Sequence, residues 1–135
     1  MPGKLERQRC AVMYLRIASS RTEDATTLDL QRDDCKRIAE KYGLQIVREY
    51  ADAGVPAVLD RQTSLQHLLE DLARQRDAAY VVMWDYSRIG RTMDQLDEVV
   101  RRLADAGATI ATITGVETVD RFLQNYRDTP GEPPP

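Results

Sequence analysis

The sequence predicts an α/β domain built as a three-layer sandwich, with helices on both faces of a mainly parallel sheet of four to five strands. Three observations predict it. Short apolar runs of strand length alternate with segments whose apolar residues recur at helical spacing. The length of 135 residues suits one domain, and a hydrophobic share of 42% is enough for one sizeable core. No apolar stretch approaches membrane-spanning length, so the core is expected to be buried by the chain itself.

The elements follow in order. Residues 1–8 read as a loose arm, and 128–135, rich in proline, as a flexible tail, which leaves 9–127 as the domain. Arg9–Ile17 is an apolar run that reads as a buried strand. A polar stretch, Ala18–Thr26, precedes a helical pattern through Leu28, Leu30, Cys35, Ile38, Ala39 and Tyr42, stopped by Gly43. Leu44–Tyr50 is a second strand and Ala51–Gln62 a loop. Thr63 with Gln66, and Thr92 with Gln95, each fit a capping box opening a helix. The first of these helices buries Leu65, Leu68, Leu69 and Leu72; the second buries Met93, Leu96, Val99, Val100 and Leu103 and stops at Gly107. Ala79–Trp84 and Ala108–Thr114 are strands, with Tyr80 and Trp84 expected in the core, and Glu117–Tyr126 is expected to be a short helix.

Charge excludes some functions. With 22 acidic and 19 basic residues the net charge is -3, so nothing pulls the whole molecule toward polyanionic DNA, and any such contact must be local. Cys10 and Cys35 lie in apolar and helical patterns, as expected of buried thiols in a reducing cytoplasm rather than of a disulfide framework. The single histidine, His67, falls on the polar side of its helix, and no metal-ligand spacing or glycine-rich phosphate loop is present. Asp94, Asp97 and Glu98 followed by Arg101 and Arg102 read as surface charge pairing along a helix. No metal, cofactor or membrane is expected as a partner.

One constellation carries chemistry. In a parallel sheet the working residues sit in loops at the carboxyl ends of strands. Arg16 ends the first strand, Arg61 precedes the first cap, and Arg88 and Arg91 lie just before Thr92 at the start of a helix. Guanidinium forks near a helix N-terminus suit a phosphodiester and its transition state. Taken singly, each arginine is better read as a surface ion-pair partner.

Together with their neighbours they resemble a known pattern. Tyr14-Leu15-Arg16-Ile17, Leu28-Asp29-Leu30-Gln31, Asp52-Ala53-Gly54-Val55, Asp60-Arg61, Trp84 and Ser87-Arg88-Ile89-Gly90-Arg91 are similar, in order and spacing, to the serine-recombinase (resolvase/invertase) motifs. Those motifs run Tyr-x-Arg-Val-Ser, Leu-Asp-x-Gln, Gly-Val-Ser-Gly, Asp-Arg-Pro and Asp-Arg-Leu-x-Arg. The resemblance implies a resolvase-like fold and metal-free DNA transesterification through a phosphoserine, carried out by four cooperating protomers. It implies catalytic roles for Arg16, Arg61, Arg88 and Arg91, phosphate contacts for Gln31 and Ser87, no cofactor, and DNA with a homodimer, tetramer or full-length recombinase as partners.

The departures matter as much. The nucleophile slot is Ala18, which has no oxygen to attack with. Ser19 is the nearest substitute, and whether it reaches the site depends on where the strand ends. Pro56-Ala57 stands where the family has Ser-Gly, and Ser87 where it has aspartate. Where the family has a long helix, Glu117–Tyr126 is expected to be only about three turns, and no DNA-binding module is expected after it. Two readings therefore stay open: a degenerate catalytic domain for strand exchange, and a non-catalytic regulatory module of the same fold. A flavodoxin-like regulatory domain is the unrelated competitor, and it lacks the acidic cluster a phospho-receiver requires.

Overall fold

The computed structural model describes residues 7–17, 22–56, 58–90, 92–113 and 115–117, with side chains throughout except at 22–26, 87 and 117. The strands are β1 (Cys10–Ile17), β2 (Gln45–Ala53), β3 (Tyr80–Val82), β4 (Thr109–Thr112) and β5 (Gly115–Glu117). The helices are α1 (Thr22–Lys41), α2 (Thr63–Gln75) and α3 (Met93–Asp105), with 3-10 turns at Leu59–Arg61 and Tyr86–Arg88. The five-stranded sheet has the order β2-β1-β3-β4-β5. β1 pairs in parallel with both β2 and β3, and β3 with β4, while β5 runs antiparallel to β4.

β1 lies inside the sheet, buried on both faces. Its residues Cys10, Val12 and Tyr14 face one core, where Leu65, Leu68, Leu69 and Leu72 of α2 meet Leu96, Val99, Val100 and Leu103 of α3. The alternate residues Ala11, Met13 and Leu15 face a second core under Cys35, Ile38 and Ala39 of α1. A two-residue period thus feeds two cores, and α1 lies on one face of the sheet with α2 and α3 on the other. β2, at the sheet edge, alternates exposed and half-buried residues along most of its length. The three-layer α/β architecture with a mainly parallel sheet is the one the sequence predicts.

Several boundaries differ from expectation. α1 begins at Thr22, inside the stretch read as a loop, where no apolar period marks the start of a helix. β2 runs on to Ala53, since Asp52 and Ala53 still pair with Arg16 and Ile17 of β1. At Glu117 the chain is in strand rather than in the expected helix; the rest of that segment, 118–126, lies outside the described residues. Thr63 is not a cap: Gln62 occupies that position without a side-chain bond, and Gln66 donates to Leu59 O at 2.6 Å. Thr92 does cap α3, accepting from Gln95 N at 3.2 Å, but the Gln95 side chain turns away to other partners. Tyr80 packs on the α1-side core, whereas Trp84 is only half-buried and lines a cleft with Tyr42, Lys41 and Ile113. Arg7, assigned by sequence to the loose arm, donates from Nη2 to Ala106 O at the end of α3. Cys10 and Cys35 are buried free thiols, and His67 is exposed.

Candidate phosphate site at the carboxyl edge of the sheet

Arg16 is the penultimate residue of β1 and is buried, only 6% exposed. Two neighbours fix it. Gln31 of α1 accepts from Arg16 N at 3.3 Å and donates to Arg16 O at 3.0 Å, so both ends of its amide grip the Arg16 backbone. From the loop after β2, Val55 O accepts from the guanidinium Nη1 at 3.0 Å. Gln31, expected from the resemblance to touch phosphate, thus has both ends of its amide engaged by the Arg16 backbone.

Arg88 closes the 3-10 turn that follows β3, at the same carboxyl edge of the sheet. It is half-buried, and its Nε lies 3.9 Å from Asp85 Oδ1. Among the described residues that buried Nε has no hydrogen-bond partner. Burying an N–H without an acceptor costs about 1–3 kcal/mol, which the ion pair with Asp85 offsets in part. Arg61 ends the other 3-10 turn and is exposed. The side chain of Ser87 is not among those described, and Ala18, Ser19 and Arg91 lie outside the described residues.

A buried polar network that sequence reasoning missed underlies these turns. Tyr14 OH donates to Asp52 Oδ2 at 2.7 Å. The same carboxylate accepts from Ser64 N at 2.9 Å and Leu65 N at 3.1 Å, and so satisfies the free donors at the start of α2. Gln62, fully buried at 0% exposure, donates to Tyr14 OH at 2.9 Å and to Arg88 O at 2.8 Å. Its Oε1 accepts from Gln95 Nε2 at 3.1 Å. Gln95 also donates to Ile89 O at 2.7 Å and accepts from Leu59 N at 2.9 Å. Burial, with Asp52 adding to it, pushes the Tyr14 hydroxyl far above its ordinary pKa, so it stays a neutral donor. The only sequence signal for the network is the Tyr14 hydroxyl inside an apolar strand; Asp52 falls in the stretch read as a loop. Gln62 gives none.

Among the described residues no group of His, Cys, Asp and Glu could hold a metal ion, and no helix is long and apolar enough to cross a membrane. What the site offers is cationic: guanidinium groups set in turns at one edge of a parallel sheet.

The sheet order with helices on both faces is that of serine-recombinase catalytic domains. The family described as Resolvase, N terminal domain, matches residues 11–128, and the chain belongs to that family. Solved structures share the fold at low identity. The N-terminal catalytic domain of TP901-1 integrase superposes with a TM-score of 0.71 at 21% identity, covering 86% of this chain and 90% of that one. A resolvase family site-specific recombinase from Streptococcus pneumoniae gives 0.70 at 18%, covering 90% and 89%. The C-terminal catalytic domain of ISC1926 TnpA, an IS607-like serine recombinase, gives 0.69 at 19%, covering 86% and 78%. Comparison with curated proteins gives no match.

Proposed function

We propose that this chain is a resolvase-type domain that holds a DNA phosphodiester at Arg16, Arg61, Arg88 and Arg91 but does not cleave it through position 18. The observation that carries the reading is the buried Arg88 Nε, which has no hydrogen-bond acceptor among the described residues at the edge where Arg16 also emerges. Family membership supplies the ligand class. Ala18 supplies the restriction: a phosphoserine link needs a hydroxyl in line with the leaving 3′ oxygen, and a methyl group has none. Gln31 acts behind the site by fixing the Arg16 backbone, and Ser87 stands where the family's aspartate would orient the arginine turn. The role places the protein in the cytoplasm on DNA, weakly when alone, together with further protomers or with a complete recombinase.

A nicked or suicide duplex tests it. The chain should form no covalent protein–DNA adduct, while Arg16→Ala and Arg88→Ala should each weaken duplex binding about tenfold at low salt. Ser19→Ala distinguishes the remaining chemistry: an adduct that forms and then vanishes on this change makes Ser19 a substitute nucleophile. An adduct that survives the change, or DNA affinity indifferent to both arginine variants, would overturn the reading.

A further inference from the structure

We infer that the side-chain amides of Gln62 and Gln95 form a positioning clamp that fixes the Arg61 turn against the Arg88 turn and sets the spacing at which both guanidinium groups meet a phosphodiester. The inference rests on the phosphate-site reading above and deepens it. The hydrogen bonds of the pair carry it. Gln62 Nε2 holds Arg88 O at 2.8 Å, and Gln95 Nε2 holds Ile89 O at 2.7 Å, so two successive carbonyls of one turn are gripped. Gln95 Oε1 takes Leu59 N at 2.9 Å, the first amide of the other turn, whose last residue is Arg61. The amides meet each other at 3.1 Å.

Every polar group of the two amides facing the protein is used. An amide offers two donors and an acceptor oxygen; Gln62 donates to Tyr14 and Arg88 and accepts from Gln95, while Gln95 donates to Gln62 and Ile89 and accepts from Leu59. A fully satisfied network anchored on the buried Gln62 has one low-energy arrangement, because shifting either turn leaves a donor or acceptor unmade. The third partner, Tyr14 OH, is two residues before Arg16 on β1, so the clamp also references the third arginine-bearing segment. Room for it comes from Gly90: a Cβ there would lie 3.1 Å from Gln95 Cγ and 3.2 Å from its Nε2. The clamp belongs to this chain, since the Asp-Arg-Pro pattern carries proline at the position of Gln62, and a proline ring has no donor to offer.

The test reads DNA binding by fluorescence anisotropy of a short labelled duplex across about 50 to 200 mM salt, where the slope counts phosphate contacts. Gln62→Met and Gln95→Met keep length and bulk but remove the polar groups. Each should weaken binding about fivefold at low salt and reduce the salt slope by about one contact. Neither should add further loss on top of Arg88→Ala. A purely structural role would lower the melting temperature and leave the slope alone. If Arg88→Ala changes affinity and slope while both methionine variants keep the wild-type slope, the clamp is overturned and the phosphate site stands. If Arg88→Ala changes nothing, the phosphate site itself fails and the clamp falls with it. Should the methionine variants not fold, Gly90→Ala carries the same test: it retains both amides, displaces Gln95, and should lower the slope.

Discussion

Cys35 shows how much a single side chain is governed by where it is buried. Burial, with the negative charge of Asp34 adding and the positive charge of Arg88 opposing, pushes its thiol up to about 12. Since the thiolate is the reactive form, a chromogenic disulfide reagent at pH 8 should leave Cys10 and Cys35 untouched in the native protein and titrate both after denaturation. Rapid native release would contradict their burial. Asp77 is the opposite case. Its bidentate pairing with Arg48, which ties β2 to the segment after α2, holds its carboxyl below the usual range. A depressed folded pKa contributes stability that is complete above the unfolded value of about 3.9 and fades as pH falls through the folded one. Asp77→Asn should therefore cost about 1–2 kcal/mol at pH 7 in a denaturant titration, and less than half of that near pH 3. At this scale the sequence was only partly legible. The arginines stood out only as a set, through the motif neighbours they share with a known family, while Gln62 and Asp52 did not, since their partners are residues as distant as Arg88 and Tyr14.

Elements were legible where burial enforces a period. α2 and α3 follow their leucines and valines, and β1 its unbroken apolar run. Elements were missed where something else holds the backbone. The first turns of α1 have no apolar repeat, and the last residues of β2 include the charged Asp52, kept in the strand by pairing with Arg16. The start of α2 separates the two ways of reading a helix end. A capping box at Thr63 predicts a loss of about 1 kcal/mol for Thr63→Ala. The structure instead predicts a change within about 0.5 kcal/mol for Thr63→Ala. It predicts a loss of about 2–3 kcal/mol for Asp52→Ala, which strands Tyr14 OH, Ser64 N and Leu65 N without their acceptor. Thermal melts of the two variants decide between them.

The whole molecule is two cores divided by one sheet, and the division sets where damage is felt. Leu72 is 0% exposed at the junction of α2 with the sheet, and Leu72→Ala should cost about 2–5 kcal/mol. Leu30, a residue of identical chemistry counted in the sequence pattern of α1, is 59% exposed, and Leu30→Ala should change stability by less than about 0.5 kcal/mol. Equal losses from both would show that the faces are wrongly assigned. The architecture could be foreseen because alternating strand and helix patterns admit few packings. The antiparallel β5 could not, because three residues carry too little pattern to announce a direction.

That reversal turns the chain back down the sheet. β5 pairs Gly115 with Thr112 at the top of β4 and Glu117 with Ile110 near its foot. At Glu117 the backbone is therefore level with the amino part of β4, on the far side from Arg16 and Arg88. A fluorophore carried at position 117 would sit roughly 10 Å, at 3.3 Å per residue, below the level of Arg16 and Arg88.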